Sequence, residues 1–484
     1  MSARLSALLR ADLDVDPIIS GVTADSRQVR PGYLFAALPG AKVDGRAFIR
    51  PAVDAGAAAI LAGEAHPELP VPVAAAWDVR RAYALAAGAF YGAQPRTVVA
   101  VTGTNGKTSV AAFCRQIFDS LGHRAASMGT LGVALSPNAG GEQLLPPGLT
   151  TPDAADVAAN LADLARRGVT HLCMEASSHG IDQRRLDAVT LTAAGFLNLT
   201  QDHLDYHGTM GAYRASKLRL FETILPRNGT AVLNADSDAY SVFASASTMA
   251  GHGLMSVGAE GQGIRLLARA PAANGQRLTL GYGGRTFEAL LPLAGAFQAS
   301  NALVAAGLCI AAGEDAGEVF AALEQIQGAP GRLQRVGSGP RGGEAYVDYA
   351  HTPDGLETVL KALRPHASGR LMVVFGAGGD RDRTKRPLMG QAAADLADLV
   401  IVTDDNPRTE EPSAIRAAIL EAAPGALEIG DRREAIEAAV SQLREGDVLV
   451  VAGKGHEQGQ IVGAVTHPFD DVTEVAAALG VRHG

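Results

Sequence analysis

The chain has 484 residues, more than one hydrophobic core usually serves, so its length indicates two to four domains. Hydrophobic residues make up 47% of the sequence and charged residues 19%, a composition typical of a globular protein that folds in water. The net charge of −9 comes without any run of Lys and Arg, so nucleic acid is not an expected partner. No uninterrupted apolar stretch of about 18 residues predicts a membrane span.

The cysteines and the first residues favour a cytoplasmic location. The three cysteines are far apart and form no CxxC pair, which predicts buried, reduced thiols instead of disulfides or zinc ligands. Charged residues interrupt the short apolar run of residues 1–14, so the apolar centre of a signal peptide is missing.

Three segments of alternating strand and helix patterns follow one another, and we predict domain limits of 1–92, 93–327 and 328–484. The predicted strands of the first two segments lie at 33–38, 58–61, 97–101, 171–175, 193–198 and 229–234, with helices at 80–91 and 107 to about 121 and a hairpin at 277–290. The predicted strands of the third segment lie at 344–349, 371–375, 399–403 and 448–452, with helices at 353–363, 388–396, 413–422 and 432–443. This pattern predicts an α/β fold: a small N-terminal α/β domain, a central P-loop-type domain with a mainly parallel sheet, and a C-terminal, doubly wound, Rossmann-like domain.

The strongest local signal is a glycine turn between a predicted strand and a helix, which reads TGTNGKTS over residues 102–109. Backbone N–H groups in such a turn bind phosphate, Lys107 reaches the outer phosphates and the Thr108 hydroxyl ligates Mg²⁺. Val101 stands where the usual P-loop pattern has glycine, so the turn is a variant of that pattern. The predicted ATP-binding residues of the turn are Gly103, Thr104, Asn105, Gly106, Lys107, Thr108 and Ser109.

Several further segments follow in the order of one known family. They are residues 174–180 (MEASSHG), 198–208 (NLTQDHLDYHG), 213–217 (YRASK), 297–301 (FQASN), 331–332 (GR), 347–353 (VDYAHTP), 403–408 (TDDNPR) and 453–457 (GKGHE). Together with the glycine turn, they make nearly the whole chain similar to the Mur ligases, which are related to the folylpolyglutamate synthases. The resemblance implies an ATP-dependent amide ligase that activates a carboxylate as an acyl-phosphate. Within the family, the last two segments resemble the branch that adds meso-diaminopimelate to the D-Glu carboxylate of UDP-N-acetylmuramoyl-L-Ala-D-Glu in peptidoglycan synthesis.

The resemblance also implies roles for individual residues. The expected catalytic residues are Lys107, Glu175, His203 and Lys217, of which Glu175, His203, a carbamylated Lys217 and Thr108 are expected to hold Mg²⁺. Further ATP contacts are expected from Asn301, Arg332 and Asp348. The UDP-muramyl dipeptide is expected to contact Ser26, Thr150, Thr151, Ser177, Gln183 and Arg185. Diaminopimelate is expected to contact Arg381, Asp405, Asn406, Pro407, Arg408, Gly453 and Glu457.

Other functions remain open at this point. A sister ligase would use another amine, such as a dipeptide, or would add glutamate to folate. A non-catalytic nucleotide-binding homologue would keep the fold, although Lys107, Glu175, His203 and Lys217 are all present. A P-loop motor is disfavoured because no acidic residue at a strand end beside the loop, no arginine-rich oligomer surface and no membrane partner is evident. We expect a monomer.

Overall fold

The computed structural model describes residues 1–40, 44–272 and 275–481. The chain divides into two compact units. The first comprises residues 1–266, 281–285 and 302–322, and the second comprises 267–280, 286–301 and 323–484. No helix within the described ranges combines the length and the apolar character that crossing a bilayer requires.

The first unit begins with a four-stranded parallel sheet in the order β3-β4-β5-β6. Its helix α3 begins after Asp78, whose side chain accepts a hydrogen bond from Arg81 N, and ends at Gly92, which has φ +73°. The elements are β1 Ala3–Arg4, α1 Leu5–Leu9, β2 Ile18–Ile19, β3 Gly21–Thr23, β4 Tyr33–Ala36, α2 Ile49–Asp54, β5 Ala59–Ala62, β6 Val73–Ala75 and α3 Val79–Tyr91.

A larger sheet follows, with the strand order β10-β9-β8-β11-β7-β12-β13-β14. Six neighbouring strands of this sheet are parallel, in the order β8-β11-β7-β12-β13-β14. Strands β9 and β10 form an antiparallel edge beside β8. All six residues of β7 are buried, because β11 and β12 flank this strand and helices cover its faces. The elements are β7 Thr97–Thr102, α4 Lys107–Ser120, β8 Ala125–Gly129, β9 Gly132–Leu135, β10 Gln143–Leu145, α5 Ala154–Arg166, β11 His171–Glu175, α6 Ser178–Asp182, β12 Ala193–Phe196, α7 Leu204–His207, α8 Met210–Arg219, β13 Thr230–Asn234, α9 Tyr240–Ala250 and β14 Gly253–Gly258.

Four elements have residues in both units: β15 Ile264–Ala272, β16 Gly275–Tyr282, β17 Arg285–Leu291 and α10 Ala296–Ala311. Helix α11, Ala316–Ala322, belongs to the first unit. Strands β15, β16 and β17 are neighbours in that order. Gly283 and Gly284 join β16 to β17 with φ values of +56° and +75°, a conformation that favours glycine. The predicted hairpin is confirmed.

The second unit contains a six-stranded sheet in the order β18-β19-β23-β20-β21-β22, parallel except for β18. One hydrophobic cluster packs α12, α13 and α14 against it, and a second packs α15 and α16 against it, so the sheet is doubly wound. The elements are β18 Gln334–Ser338, β19 Glu344–Asp348, α12 Pro353–Leu363, β20 Leu371–Phe375, α13 Lys385–Leu396, β21 Leu399–Val402, α14 Pro412–Leu420, β22 Leu427–Glu428, α15 Arg432–Val440, β23 Val448–Ala452, β24 Gly459–Val462, β25 Val465–Pro468 and α16 Asp471–Leu479.

The predicted α/β class is therefore confirmed, with parallel sheets in the N-terminal, central and C-terminal parts of the chain. The domain limits at 92/93 and 327/328 stay predictions. The three cysteines are free and buried.

Candidate active site

The glycine turn joins the carboxyl end of β7 to the first residue of α4. Gly106 immediately precedes this helix and has φ +89°, a conformation that residues with a Cβ rarely adopt. Lys107 Nζ donates to the carbonyl oxygens of Gly103 (2.9 Å) and Thr104 (2.8 Å), so its charge lies over the turn. A helix N-terminus and an ammonium group on one loop form an electropositive site suited to phosphate.

Glu175 is the last residue of β11, the parallel neighbour of β7, so its carboxylate lies beside the turn. Thr108 Oγ1 donates to Glu175 Oε2 (3.1 Å), and Thr130 N donates to Oε1 (2.8 Å). Gly129 leaves room for the carboxylate, because a Cβ there would overlap it. Thr130 was not predicted, and nothing in its local sequence marks it.

The position of Glu175 corrects one expectation. The sequence was interpreted as having no acidic residue at a strand end beside the loop, and this interpretation was wrong. Glu175 is far from the loop in sequence, and only the pairing of β11 with β7 brings the two together. A P-loop motor is therefore not disfavoured on this ground.

Lys217 lies buried against the same turn. Its Nζ donates to the carbonyl oxygen of Gly103 (2.7 Å) and lies 4.5 Å from the centre of the Tyr213 ring. Burial, together with the positive charge of Lys107, lowers the pKa of Lys217 well below its ordinary value. The Tyr213 hydroxyl is 3.2 Å from Thr104 Oγ1, which fixes the ring beside the glycine turn of residues 102–109, called the phosphate loop below.

His203 precedes α7 and is more exposed than the other predicted catalytic residues. Its backbone has φ +52°, a conformation that costs energy for a residue with a side chain and is enriched at functional sites. The imidazole Nε2 is 3.4 Å from Asp202 Oδ2. The ring centre lies 4.8 Å from that of His179 and 6.2 Å from that of Tyr213, which connects His203 to the phosphate loop.

Three of the predicted muramyl-peptide residues form a network around the end of β11. Thr151 Oγ1 donates to the carbonyl oxygen of Glu175 (3.0 Å) and accepts from Ser177 N (3.0 Å). The Thr150 hydroxyl is 2.9 Å from that of Thr130. These hydroxyl groups therefore lie next to the Glu175 carboxylate.

Arg185 extends the network. Its guanidinium donates to the carbonyl oxygen of Thr151 (2.5 Å) and to Gln183 Oε1 (2.8 Å). Gln183 Nε2 in turn donates to the Tyr206 hydroxyl (3.1 Å). Arg185 and Gln183 therefore belong to the same hydrogen-bond network as Thr151.

Ser26 lies apart from this network, in a cleft of about 990 Å³ that Arg80, Tyr83 and Asp153 also line. The cleft is large enough for a ligand of the size of a nucleotide. Ser26 could instead have capped the short helix that it begins, but Asp25 does so by accepting from Arg27 N (3.0 Å).

In the second unit, the remaining ATP-binding candidates form one group. Asn301 Nδ2 donates to Gln298 Oε1 (3.2 Å), and Gln298 Nε2 donates to the carbonyl oxygen of Arg332 (3.3 Å). The Arg332 guanidinium lies 4.6 Å from the centre of the Tyr349 ring, a distance typical of a cation–π contact.

Asp348 ends β19 beside this group. Its two carboxylate oxygens accept from Leu333 N (2.6 Å) and Ala350 N (2.7 Å). Burial raises the pKa of Asp348 to about 6, even though the neighbouring Arg332 opposes this shift. The carboxylate therefore holds the backbone after Arg332, where Leu333 has φ +46°.

The diaminopimelate candidates surround a lysine that was not predicted. Lys454 Nζ donates to Asn406 Oδ1 (2.9 Å) and lies 3.4 Å from carboxylate oxygens of both Asp405 and Glu457. Asn406 Nδ2 donates to Glu457 Oε2 (2.9 Å), and Gly453 packs beside Asp405. Lys454 lies within the GKGHE segment, so the sequence contained the signal that would have found it.

Arg408 and Pro407 contact a second glycine-rich loop. Arg408 has φ +53°, and its Nη1 donates to the carbonyl oxygen of Gly379 (2.8 Å). Gly379 has no room for a Cβ against the carbonyl of Pro407. Arg381, on the same loop, is exposed and forms no ion pair within the described residues, so it is not held by the neighbouring aspartates.

An ion pair that was not predicted fixes these two loops. Glu410 accepts from Arg386 Nη2 (2.9 Å) and from Asp380 N (2.7 Å). Arg386 is buried in the first turn of α13, so Glu410 ties this helix and, through Asp380 N, the loop before it to the loop after β21. No motif marked either residue.

Models of one family match most of the chain. The descriptions and matched residues are "Mur ligase family, catalytic domain" for 18–91, "Mur ligase middle domain" for 101–309 and "Mur ligase, glutamate ligase domain" for 331–455.

Full-length relatives agree with these matches. A protein of Caulobacter vibrioides, named UDP-N-acetylmuramoyl-L-alanyl-D-glutamate–2,6-diaminopimelate ligase, is 68% identical, with 99% of each chain covered. A protein of Bradyrhizobium diazoefficiens with the same name is 52% identical, again with 99% of each chain covered. A solved structure described by that name is 35% identical, covers 99% of each chain and has a TM-score of 0.76. This chain belongs to the Mur ligase family.

Proposed function

We propose that this chain is the ATP-dependent ligase that joins meso-diaminopimelate to the D-Glu carboxylate of UDP-N-acetylmuramoyl-L-Ala-D-Glu. The products are the muramyl tripeptide precursor of peptidoglycan, ADP and phosphate. The main structural support is the meeting of Lys107, Thr108, Glu175 and Lys217 at one phosphate loop. Relatives at 52% and 68% identity carry the name of this ligase.

The reaction requires activation, because a carboxylate does not condense with an amine in water. The D-Glu carboxylate attacks the γ-phosphorus of ATP, which forms an acyl-phosphate and releases ADP. The amine of diaminopimelate then attacks the acyl carbon, loses a proton and releases phosphate. Lys107 and the N-terminus of α4 bind the phosphate charge, so their contribution is mainly positioning and neutralisation.

The donor set at the loop fits Mg²⁺. The Thr108 hydroxyl and the Glu175 carboxylate are hard oxygen ligands within 3.1 Å of each other, as this cation prefers. Bound Mg²⁺ supplies charge neutralisation on the phosphates. His203 is proposed as a further ligand through the family resemblance.

Lys217 is proposed to act as a carbamate. An ammonium group against the loop would repel both Lys107 and a cation, whereas a carbamate is anionic and offers two oxygens. The hydrogen bond from Lys217 Nζ to the carbonyl of Gly103 supports this proposal, because carbamate oxygens on that nitrogen would lie beside the phosphate site.

The first unit is proposed to bind the UDP-muramyl dipeptide. The cleft at Ser26 takes the uridine end, and the network of Thr150, Thr151, Ser177, Gln183 and Arg185 takes the peptide end. Arg185 suits an anionic group. The second unit contributes Asn301, Arg332 and Asp348 to ATP binding, with Asp348 as acceptor from the ribose hydroxyls.

The selectivity for diaminopimelate is proposed to follow from charge. Arg408 and Arg381 bind one carboxylate of the substrate, which lysine lacks. Asp405 and Glu457 carry two negative charges and Lys454 one positive charge, so the group keeps one negative charge for the distal ammonium. The backbone around the bound diaminopimelate is formed by Asn406, Pro407 and Gly453.

The deciding experiment measures ADP release with the UDP-muramyl dipeptide and a series of amines. We expect turnover with meso-diaminopimelate and little with L-lysine. Turnover with D-Ala-D-Ala, or with glutamate and a folate acceptor, but none with diaminopimelate would assign the chain to a sister ligase. ATP binding without turnover on any of them would indicate a non-catalytic homologue. A monomer in the cytoplasm stays a prediction.

A further inference from the structure

Three potential metal ligands meet at the amino-terminal edge of the central sheet, in the first unit. They are His123 in the loop after α4, His171 at the start of β11 and Glu314 between α10 and α11. Their ligand atoms all lie within 4.8 Å of one another. His171 and Glu175 are the first and last residues of β11, so the cluster and the phosphate loop lie roughly 13 Å apart along the strand.

The distances resemble those in a metal site. Glu314 Oε1 is 3.0 Å from His123 Nε2 and 3.5 Å from His171 Nε2. In a tetrahedral zinc site with bonds of about 2.0–2.1 Å, neighbouring ligand atoms are about 3.3 Å apart. The centres of the two imidazole rings are 3.9 Å apart with 31° between their planes, so the partly exposed His123 ring must turn before all three atoms surround one ion.

The surroundings hold His171 in place and leave an opening. Its side chain is 2% exposed, and its Nδ1 is 2.9 Å from the Thr170 hydroxyl, which leaves Nε2 facing Glu314. The side chains of His123 and Glu314 are 27% and 16% exposed. An ion can therefore enter from solvent, and water can complete its coordination.

We propose that His123, His171 and Glu314 bind one transition-metal ion of the zinc class. Two imidazole nitrogens and one carboxylate suit Zn²⁺, Co²⁺ or Ni²⁺, whereas Mg²⁺ prefers oxygen ligands. The ion joins three segments that are distant in sequence at the edge of the sheet. It therefore stabilises the folded chain and takes no part in the phosphoryl transfer.

The test titrates chelator-treated full-length enzyme with ZnCl₂ in the presence of excess MgCl₂. We expect one Zn²⁺ per chain, a higher melting temperature, and with CoCl₂ the visible absorption of tetrahedral Co²⁺. His123→Asn and Glu314→Gln change the partly exposed ligands, so they should fold and keep ligase activity. Each should weaken Zn²⁺ binding about tenfold or more and abolish the gain in melting temperature. His66→Asn breaks an exposed pair with Glu68 (3.2 Å) and should leave binding unchanged.

A second variant distinguishes Zn²⁺ binding at this site from binding at the histidines near the phosphate loop. The ring centres of His179 and His203 are 4.8 Å apart there. His203→Ala should leave Zn²⁺ binding intact. If that variant loses the ion and His123→Asn retains it, the ion lies at the active site and the proposal is overturned. If Zn²⁺ neither binds nor stabilises the unaltered enzyme, the cluster is an ordinary ion pair and the proposal is equally overturned.

Discussion

The buried lysine between the diaminopimelate candidates provides the sharpest test of how this site is built. Lys454 is 0% exposed, and its ammonium group compensates Asp405, which is itself nearly buried. Lys454→Met keeps a side chain of similar length and removes the charge. Breaking a buried pair on one side costs about 3–5 kcal/mol, because the remaining carboxylate stays buried without a partner.

A matched control is available in the same unit. Lys361 pairs with Glu357 across one helix turn, with side chains that are 61% and 46% exposed. Lys361→Met removes the same charge, but exposed pairs of this kind contribute only about 0.3–0.5 kcal/mol. The two variants therefore differ roughly tenfold in expected cost, although the chemical change is identical.

Urea unfolding followed by circular dichroism measures the free energy of unfolding of both variants. Lys454→Met combined with Asp405→Asn should recover part of the loss, since no buried charge is then left unpaired. In the folded fraction, Lys454→Met should raise the KM for diaminopimelate while the KM for ATP stays unchanged. A cost for Lys454→Met no larger than that of Lys361→Met, with an unchanged KM for diaminopimelate, would show that Lys454 does not compensate the buried carboxylate.

Four further substitutions test individual contacts of the candidate site. Lys107→Ala should reduce phosphate release by roughly 10³-fold, since a charge that contacts the phosphates is lost, and normal release would show that the phosphates bind elsewhere. Arg408→Ala should lower kcat/KM for diaminopimelate by a factor that corresponds to about 2–5 kcal/mol, while ATP binding stays intact. Equal losses for diaminopimelate and ATP would indicate misfolding. Gly106→Ala should lower the free energy of unfolding, measured with urea, by about 1–2 kcal/mol, because φ is +89° at this residue. An unchanged free energy of unfolding would contradict that backbone conformation. Because the folded pKa of Asp348 is about 6 against 3.8 for the free side chain, its contribution to stability is fully present below pH 3.8 and is lost as the pH rises through 6. The difference in unfolding free energy between the wild type and Asp348→Asn should therefore change by about 3 kcal/mol over that range, and a constant difference would mean that Asp348 has an ordinary pKa.

The strands and helices were largely predictable, because buried parallel strands and amphipathic helices leave strong periodic patterns. The predicted strands at 171–175, 371–375 and 448–452 agree residue by residue with β11, β20 and β23. Helix ends were less accurate: α13 begins at Lys385, three residues before the predicted start, because polar residues in its first turn hide the apolar pattern. The candidate residues came from motifs and from resemblance to a family, and their roles remain proposals.

The α/β class, the phosphate turn and the family could be derived from the sequence alone, because each depends on residues that are adjacent or regularly spaced. Which distant residues come into contact depends on the three-dimensional fold. Glu175 reaches Thr108 because β11 pairs with β7, and Lys454 reaches Asp405 because their loops follow strands of one sheet. Strand order and side-chain burial arise from contacts across the whole chain, so no local pattern encodes them.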